Sequence, residues 1–220
     1  MTKGTHKMPF RRRREQKTDY RKRLAMVKSG SVRLVIRTSN KRITAQAIKY
    51  DPKGDITIAN ADSRELAKYS FYGTNNTPSA YLTGLLLGKR MPANEKAGIL
   101  DIGLKTPSHG SVVFAALKGI ADAGVRVAFD EKAAPSEDRI TGKVLDEYAK
   151  GQGNENAFSG YRKAGINPGE IAQAFAKAKA EIEKIKGEAK KAPAKKGPVE
   201  PQKGEDGASS GHEETGQVKE

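Results

Sequence analysis

Residues 32–58, VRLVIRTSNKRITAQAIKYDPKGDITI, carry the pattern that decides the fold. Apolar residues occupy every second position in 32–36, 43–47 and 56–58, which is the period of β-strands that bury one face. The two interruptions have the composition of turns, one at Ser39-Asn40-Lys41 and one of type I at Asp51-Pro52-Lys53-Gly54. The sequence therefore predicts a three-stranded antiparallel meander.

Downstream of the meander, the sequence carries two helix-start signals. Asp62 and Glu65 have the spacing of a capping box, which predicts a short helix. Thr77 followed by Pro78 is typical of an N-cap and first helical residue, and predicts a longer helix that ends near Met91.

Two glycines inside that longer helix, Gly84 and Gly88, lower its helix propensity and so indicate close packing against another backbone. Short apolar segments at 99–102 and 125–127 are predicted strands, and the segment 112–123 between them is a predicted helix. Because strand and helix alternate in this half of the chain, we expect parallel strands joined by right-handed crossovers.

The C-terminal part is predicted to begin as helix. Ser136 should cap one helix that places Ile140, Val144 and Tyr148 on a single face. After a linker at 151–154, the Asn-Pro-Gly-Glu at 167–170 is a strong helix start. The helix that follows carries an apolar stripe, expected to dock on a core or a partner: Ile171, Ala174, Phe175, Ala178, Ile182 and Ile185. Residues 188–220 have a net charge of −1 and no core-forming residues, so we expect disorder there.

The N-terminal arm is the most one-sided segment in charge. Residues 1–28 contain eleven Lys and Arg against two acids, which is +9 of the chain's +15. Like charges at helical spacing repel, so a segment with this charge is typical of proteins that bind a polyanion. Arginine binds phosphate in bidentate fashion, and Tyr20 offers a face for stacking on a base. Tyr20, Leu24 and Val27 recur at helical spacing, which predicts a short helix docked on an apolar surface.

Composition narrows the class of protein. The chain has 220 residues, a mean hydropathy of −0.70 and a pI of about 9.8, which point to a nucleic-acid ligand. It contains no cysteine, which excludes disulfides and cysteine-ligated zinc. The basic start lacks the apolar segment of a signal peptide, and no apolar run approaches 18 residues. A soluble protein of the cytoplasm, with no membrane partner, is the expectation.

Catalytic motifs are weak. The three histidines lie far apart in sequence, so no paired-histidine metal motif exists and we expect no metal and no cofactor. Asp101 ends a predicted strand, where a metal-dependent nuclease would carry a carboxylate, but Asp122 and Asp130 are poor partners for it. We interpret Asp101 as a hydrogen-bonding residue at a strand end. An RNA-binding structural protein is the leading hypothesis; a basic α/β nuclease and a non-specific nucleic-acid-binding protein are the alternatives.

Several of these segments are similar to one family. They are RRRREQKTDYRKRL at 11–24, RLVIRTSNKRITAQAIKYDPKGD at 33–55, PSAYLTGLLLGKR at 78–90, LDIGL at 100–104 and GSVVFAALKGIADAG at 110–124. Together they resemble the large-subunit ribosomal protein that binds 5S rRNA, numbered eighteen in bacteria and five in eukaryotes, in its archaeal form. The resemblance covers roughly residues 8–186.

The resemblance implies a fold and a function. The fold is α/β, a three-layer mixed-sheet core of the translational-machinery type with a basic N-terminal arm and a C-terminal helical extension. The expected divisions are 1–29 for the arm, 30–150 for the core, 151–187 for the extension and 188–220 for the tail. The implied function is non-enzymatic: a ribosome-bound protein that attaches 5S rRNA to the large-subunit rRNA in the central protuberance.

The resemblance also implies partners and contact residues. The partners are 5S rRNA, the 23S-type large-subunit rRNA and neighbouring ribosomal proteins, including the other 5S-binding protein. The implied RNA contacts lie in the arm and at the first turn of the meander: Arg11, Arg12, Arg13, Arg14, Lys17, Thr18, Tyr20, Arg21, Arg23, Arg37, Ser39, Asn40, Lys41 and Arg42.

Overall fold

A five-stranded mixed sheet forms one side of the fold. The computed structural model describes residues 8–151 and 157–185. The strands are β1 (Val32–Thr38), β2 (Ile43–Lys49), β3 (Ile56–Asp62), β4 (Ala97–Asp101) and β5 (Arg126–Val127), in the order β3-β2-β1-β4-β5. The first three strands pair antiparallel, which confirms the predicted meander. β4 pairs parallel with both β1 and β5, as the alternation of strand and helix predicts.

The buried phase of β3 differs from the sequence expectation. A β-bulge between Ala47 and Ile48 shifts the register of β2 against β3. Ala59 and Ala61 are the buried residues of β3 and Ile58 packs partly buried against the core, whereas Ile56 is 46% exposed. An extra residue in one strand of a pair reverses which side chains reach a given face, and the alternation of β3 alone does not reveal this.

Helical segments account for most of the remaining described chain. The α-helices are α1 (Arg11–Arg14), α2 (Tyr20–Lys28), α3 (Thr77–Arg90), α4 (Val112–Asp122), α5 (Glu137–Thr141), α6 (Lys143–Gly151), α7 (Ser159–Lys163) and α8 (Ile171–Glu183). Short 3₁₀ helices lie at Ser63–Tyr69, Ala93–Glu95, Glu131–Ala133 and Pro168–Glu170. The capping box of Asp62 and Glu65 is present, although the helix it opens is 3₁₀. None of the described helices has the length and apolar character needed to cross a bilayer.

Helix α3 lies in the middle layer of three. Every residue from Thr77 to Gly88 is buried, because α3 contacts the sheet on one side and α8 on the other. α4 lies beside α3 and contacts β1. A helix that is apolar all round is the expected solution for a layer with no solvent face. The three-layer α/β core is thereby confirmed.

Close approach of α3 and α4 depends on glycine, as predicted. A Cβ atom at Gly84 would lie 2.0 Å from the carbonyl oxygen of Ala116. A Cβ atom at Gly119 of α4 would lie 2.2 Å from the carbonyl oxygen of Tyr81. Each helix therefore places a glycine against the backbone of the other, and neither position has room for a methyl group.

The outer layer is built on α8. Asn167 caps the short turn that leads into α8, accepting a hydrogen bond from the Gly169 amide, as its sequence predicts. The stripe docks on the core: Ile171, Phe175, Ala178 and Ile182 are all buried. The Phe175 ring packs on that of Tyr81 of α3, with 5.6 Å between ring centroids.

Three features differ from prediction: the cap of one helix, the continuity of another and the burial of one strand. Asn76, not Thr77, caps α3, because its Oδ1 accepts the Ser79 amide at 2.9 Å. The single helix expected after Ser136 is two helices, broken at Gly142, whose φ of +89° is a left-handed conformation that ends α5. β4 buries only its end residue Asp101, because on one side it meets only the two-residue strand β5.

The proposed divisions between arm, core, extension and tail stay a prediction. Most of the expected linker at 151–154 lies outside the described residues, as does the tail at 188–220.

Replacement of Gly84 by Ala should destabilise the protein by about 3 kcal/mol or more, at the upper end of overpacking costs, because backbone atoms cannot move aside as side chains do. Gly151→Ala is the matched control. No atom lies within 4 Å of its Cβ position, so this change should be neutral or stabilising by up to about 1 kcal/mol. Urea denaturation measures both, and equal effects would contradict the close contact of α3 and α4.

Replacement of Phe175 by Ala should cost about 3–5 kcal/mol, since it removes a buried ring between two layers. Lys177→Ala, at an exposed position two residues along α8, should leave the free energy of unfolding nearly unchanged. Thermal unfolding followed by circular dichroism compares them. An unchanged midpoint for Phe175→Ala would mean that α8 does not dock through this ring.

Candidate RNA interface

The arm contains two short helices. α1 is formed by the four arginines Arg11–Arg14, and all of them are exposed. α2 begins after Asp19, whose Oδ1 accepts the amides of Arg21 and Lys22 at 3.0 and 3.1 Å. A carboxylate at this position caps the helix and also interacts favourably with the positive end of the helix dipole. The predicted helix is confirmed.

The predicted apolar docking of α2 is wrong. None of its residues is buried, and Leu24 is 54% exposed. An ion pair holds the helix to the sheet instead: Arg23 Nη2 lies 2.7 Å from Asp55 Oδ2 at the end of the second meander turn. The spacing of Tyr20, Leu24 and Val27 predicts the helix correctly but not what it contacts.

A chain of alternating charges connects α2 to the end of the sheet. Asp55 Oδ2 also accepts from Arg33 Nη2 at 2.6 Å, and Arg33 Nη1 lies 3.3 Å from Asp101 Oδ2. Asp101 Oδ1 accepts from Arg37 Nη2 at 2.9 Å and from the Gly103 amide at 2.9 Å. Three arginines therefore share two carboxylates, and we name this set, Arg23, Asp55, Arg33, Asp101 and Arg37, the arginine–aspartate network.

The centre of the arginine–aspartate network is buried. Arg33 is only 5% exposed, although the strand alternation assigns it to the polar face of β1. A buried arginine is stable only when its charge and donors are matched. Asp55 and Asp101, from a turn and from β4, balance the charge of Arg33 and accept from its Nη2 and Nη1, although both lie far from it in sequence. This long-range pairing left no signal in the local pattern.

Among the described residues of the arm, more cations lack an acidic partner than have one. Arg11 and Lys17 both pair with Glu15, at 2.9 and 2.8 Å, on the exposed surface. The hydrogen bond from Lys17, then that from Arg11, lowers the pKa of the Glu15 carboxyl. Arg12 donates to Thr18 Oγ1 at 3.2 Å.

Two residues that are predicted to contact RNA, Arg13 and Tyr20, contact each other. The Arg13 guanidinium lies over the Tyr20 ring, 5.9 Å from its centroid, in a cation–π contact. Within the described part of the chain, Arg12, Arg13, Arg14 and Arg21 form no ion pair with a carboxylate. Their charge is not neutralised by the protein.

The first meander turn is a separate location. Ser39 Oγ accepts the Arg42 amide and donates to the Arg42 carbonyl, each at 3.1 Å, so this hydroxyl stabilises the turn itself. Asn40 and Lys41 are exposed at its tip. Arg42 lies 3.9 Å from Asp62, a weak exposed pair.

Arm and sheet enclose a cleft of about 800 Å³ between α2 and the loop that follows β4. Five residues that the sequence predicts as RNA contacts line it: Arg12, Lys17, Thr18, Arg23 and Arg37. Tyr20, Arg21 and the turn residues 39–42 are not among its lining residues.

Sequence reasoning missed three further cations of this cleft, Lys22, Arg33 and Lys105. Lys22 lies in the quoted arm motif. Lys105 donates to Thr38 Oγ1, which brings together the chain segments that leave β4 and β1. The parallel pairing of β1 and β4 was a usable signal, because parallel strands end at the same edge of a sheet.

The acids considered for a nuclease have structural roles. Asp101 is enclosed by two arginines and a backbone amide. Asp122 accepts from the Tyr81 hydroxyl at 2.7 Å, and burial together with this contact raises the pKa of Tyr81. Asp130 caps the 3₁₀ turn at Glu131–Ala133. Among the described residues, no three acidic or histidine side chains converge to bind a metal ion.

Replacement of Asp101 by Asn should destabilise the protein by about 3 kcal/mol. This is the lower end of the range for breaking a buried ion pair, because Arg33 retains its ion pair with Asp55. Glu95→Gln is the control, since it breaks the Lys49–Glu95 pair of 2.6 Å at the surface. Exposed pairs contribute less than about 1 kcal/mol. Chemical denaturation should separate the two variants, and a small loss for Asp101→Asn would mean that the network is not a structural support.

Comparison with known proteins agrees with this architecture. Residues 5–98 match the family model described as "Ribosomal large subunit proteins 60S L5, and 50S L18". The large ribosomal subunit protein uL18 of Caldivirga maquilingensis is 45% identical over 188 residues, which cover 81% of this chain and 91% of the relative. The uL18 protein of Methanobrevibacter smithii is 44% identical over 189 residues, covering 83% and 98%. This chain belongs to the uL18 family of large ribosomal subunit proteins.

Proposed function

We propose that this chain binds 5S rRNA and helps to attach it to the 23S-type rRNA of the large subunit. Membership of the uL18 family makes the chain a structural, non-enzymatic constituent of the large ribosomal subunit in the cytoplasm. The identity of its RNA partner and the residues that contact it are the proposal. Neighbouring large-subunit proteins, including the other 5S-binding protein, complete the proposed surroundings.

The observation that carries this proposal is the uncompensated charge of the arm. The four arginines of α1 are exposed, and only Arg11 has an acidic partner within the described residues. Folded RNA presents a high density of phosphates, which bidentate guanidinium groups bind well. An exposed block of arginines that the protein leaves unpaired is matched by that ligand.

The arginine–aspartate network supports the same proposal in a second way. It joins α2 to the sheet, and arm cations line one cleft together with Arg37 of β1 and Lys105 of the loop after β4. RNA with a defined tertiary shape is recognised through phosphate, 2′-hydroxyl and unpaired-base contacts on such composite surfaces.

The predicted contacts divide into direct and supporting roles. Arg11, Arg12, Arg13, Arg14, Lys17 and Arg21 are proposed phosphate ligands, and Tyr20 a stacking face. Thr18, Asn40, Lys41 and Arg42 are proposed sugar, base-edge or phosphate contacts. Arg23, Arg37 and Ser39 act mainly by position, since each is bonded to this protein's own groups.

Combined replacement of Arg12, Arg13 and Arg14 by Ala should weaken binding to 5S rRNA and flatten its salt dependence. Each phosphate contact contributes roughly 0.7–0.9 to the slope of log K against log salt, so a loss of about two units is expected. Filter binding across a series of salt concentrations measures the slope, and circular dichroism checks that the fold is intact.

The matched control removes three charges from the outer layer, as Lys143→Ala, Lys177→Ala and Lys184→Ala together. It should keep the parental slope, because charge near the arm and not net charge sets the number of phosphate contacts. Duplex DNA serves as competitor. Equal competition by duplex DNA and 5S rRNA would favour the non-specific alternative, and an unchanged slope in the arginine variant would remove the arm as the main phosphate ligand.

A further inference from the structure

The cleft between α2 and the loop after β4 combines two chemistries on one surface. Its cationic side chains include Lys17, Lys22 and Lys105. Its apolar side chains include Met26, Ile102 and Leu104. An RNA duplex offers phosphates and 2′-hydroxyls but keeps its base faces stacked, whereas an unstacked nucleotide offers a phosphate together with the flat apolar face of its base.

The apolar part of the cleft is accessible. Leu104 is 56% exposed, and Met26 and Ile102 are half-buried. These side chains come from α2 and from the loop after β4, so they approach the cleft from its two sides. Apolar side chains hold bases that have left their stack in other nucleic-acid-binding proteins, and here such side chains lie beside cations.

The base of the cleft is already formed in the protein. Asp101 and Arg37 are fixed by their mutual hydrogen bonds, so a ligand does not need to order them. Arg33 also lines the cleft, and its buried Nε has no hydrogen-bond acceptor among the described residues. Buried donors normally have a partner, so this N–H is an unused hydrogen-bond donor beneath the cleft.

The lysines of the cleft retain capacity for a phosphate. Lys22 is 4.0 Å from Asp19, at the limit of an ion pair, and within the described ranges Lys105 donates only to a neutral hydroxyl, that of Thr38. Lys17 shares Glu15 with Arg11 on an exposed surface. A phosphate in the cleft would meet cations on both of its sides.

We propose that this cleft receives one unpaired nucleotide of the bound RNA, with its base against Leu104 and Met26 and its phosphate on the surrounding lysines. This inference rests on the proposed RNA-binding function and assigns the cleft its chemical class of ligand. A volume of about 800 Å³ lies within the range of about 300–1,000 Å³ for sites that enclose small ligands. An RNA duplex is too wide to enter, so the nucleotide must leave its stack.

Leu104→Ala tests the base contact without changing charge. Because Leu104 is largely exposed, the fold should be unaffected. The affinity for 5S rRNA should fall about tenfold, as for loss of one base contact, with the salt slope unchanged. Val144→Ala removes a side chain of comparable exposure on α6 and should have no effect.

A crosslinking measurement locates the nucleotide. In the full-length chain, Leu104→p-benzoylphenylalanine places a photoreactive ring at the cleft, and the crosslinked 5S rRNA is mapped by primer extension. Crosslinks confined to one unpaired nucleotide would support the proposal. Crosslinks to base-paired positions, or unchanged affinity of Leu104→Ala, would overturn it.

The outcomes distinguish this inference from the proposed function. If the triple arginine variant flattens the slope while Leu104→Ala binds normally, 5S rRNA binding stands and the nucleotide cleft is wrong. If the parental chain does not prefer 5S rRNA over duplex DNA, the proposed function itself fails. Free AMP and GMP are the last competitors, and displacement of RNA by either at micromolar concentration would show a mononucleotide site in place of an RNA contact.

Discussion

The backbone contact between α3 and α4 is the constraint on which the rest of the fold depends. Gly84 and Gly119 let the two helices approach until the backbone of each fills the space of the other's missing side chain. Both helices contact the sheet, and α8 covers the other side of α3. β1 lies against α4 and pairs in parallel with β4. β1 also carries Arg33, which shares Asp55 with Arg23 of the arm.

Charge, and not apolar burial, joins the arm to the sheet. α2 has no buried residue, yet Arg23, Asp55, Arg33 and Asp101 connect it to the sheet through hydrogen-bonded ion pairs. An arm rich in arginine has few apolar residues for docking, so carboxylates from the folded core are the available partners. The same residue type thus serves two purposes: arginines paired with the core fix the geometry, and arginines left unpaired remain available to an anionic ligand.

Local sequence patterns predicted most of the fold because they depend on nearest neighbours. The meander, the capping box at Asp62, the glycines of α3 and the stripe of α8 are of this kind. Two failures are local, namely the cap of α3 at Asn76 and the helix break at Gly142, and the others involve partners distant in sequence. The bulge at Ala47 reverses the phase of β3, and burial of Arg33 depends on Asp101, 68 residues away. For the candidate interface, the arm was predicted from its charge, whereas the cleft with Lys105 required the parallel pairing of two strands.

The arginine–aspartate network is exposed at both ends and buried at its centre. The side chains of Arg23 and Arg37 at the ends are 41% and 47% exposed, whereas those of Arg33 and Asp101 are 5% and 7% exposed. The Debye length is about 10 Å at 0.1 M salt and shortens as salt rises, so exposed ion pairs weaken while buried ones are screened much less. Rising ionic strength therefore weakens the connection from the outside inward. The attachment of α2 is the part that responds to the ionic medium, while the charged centre beneath the cleft keeps its geometry.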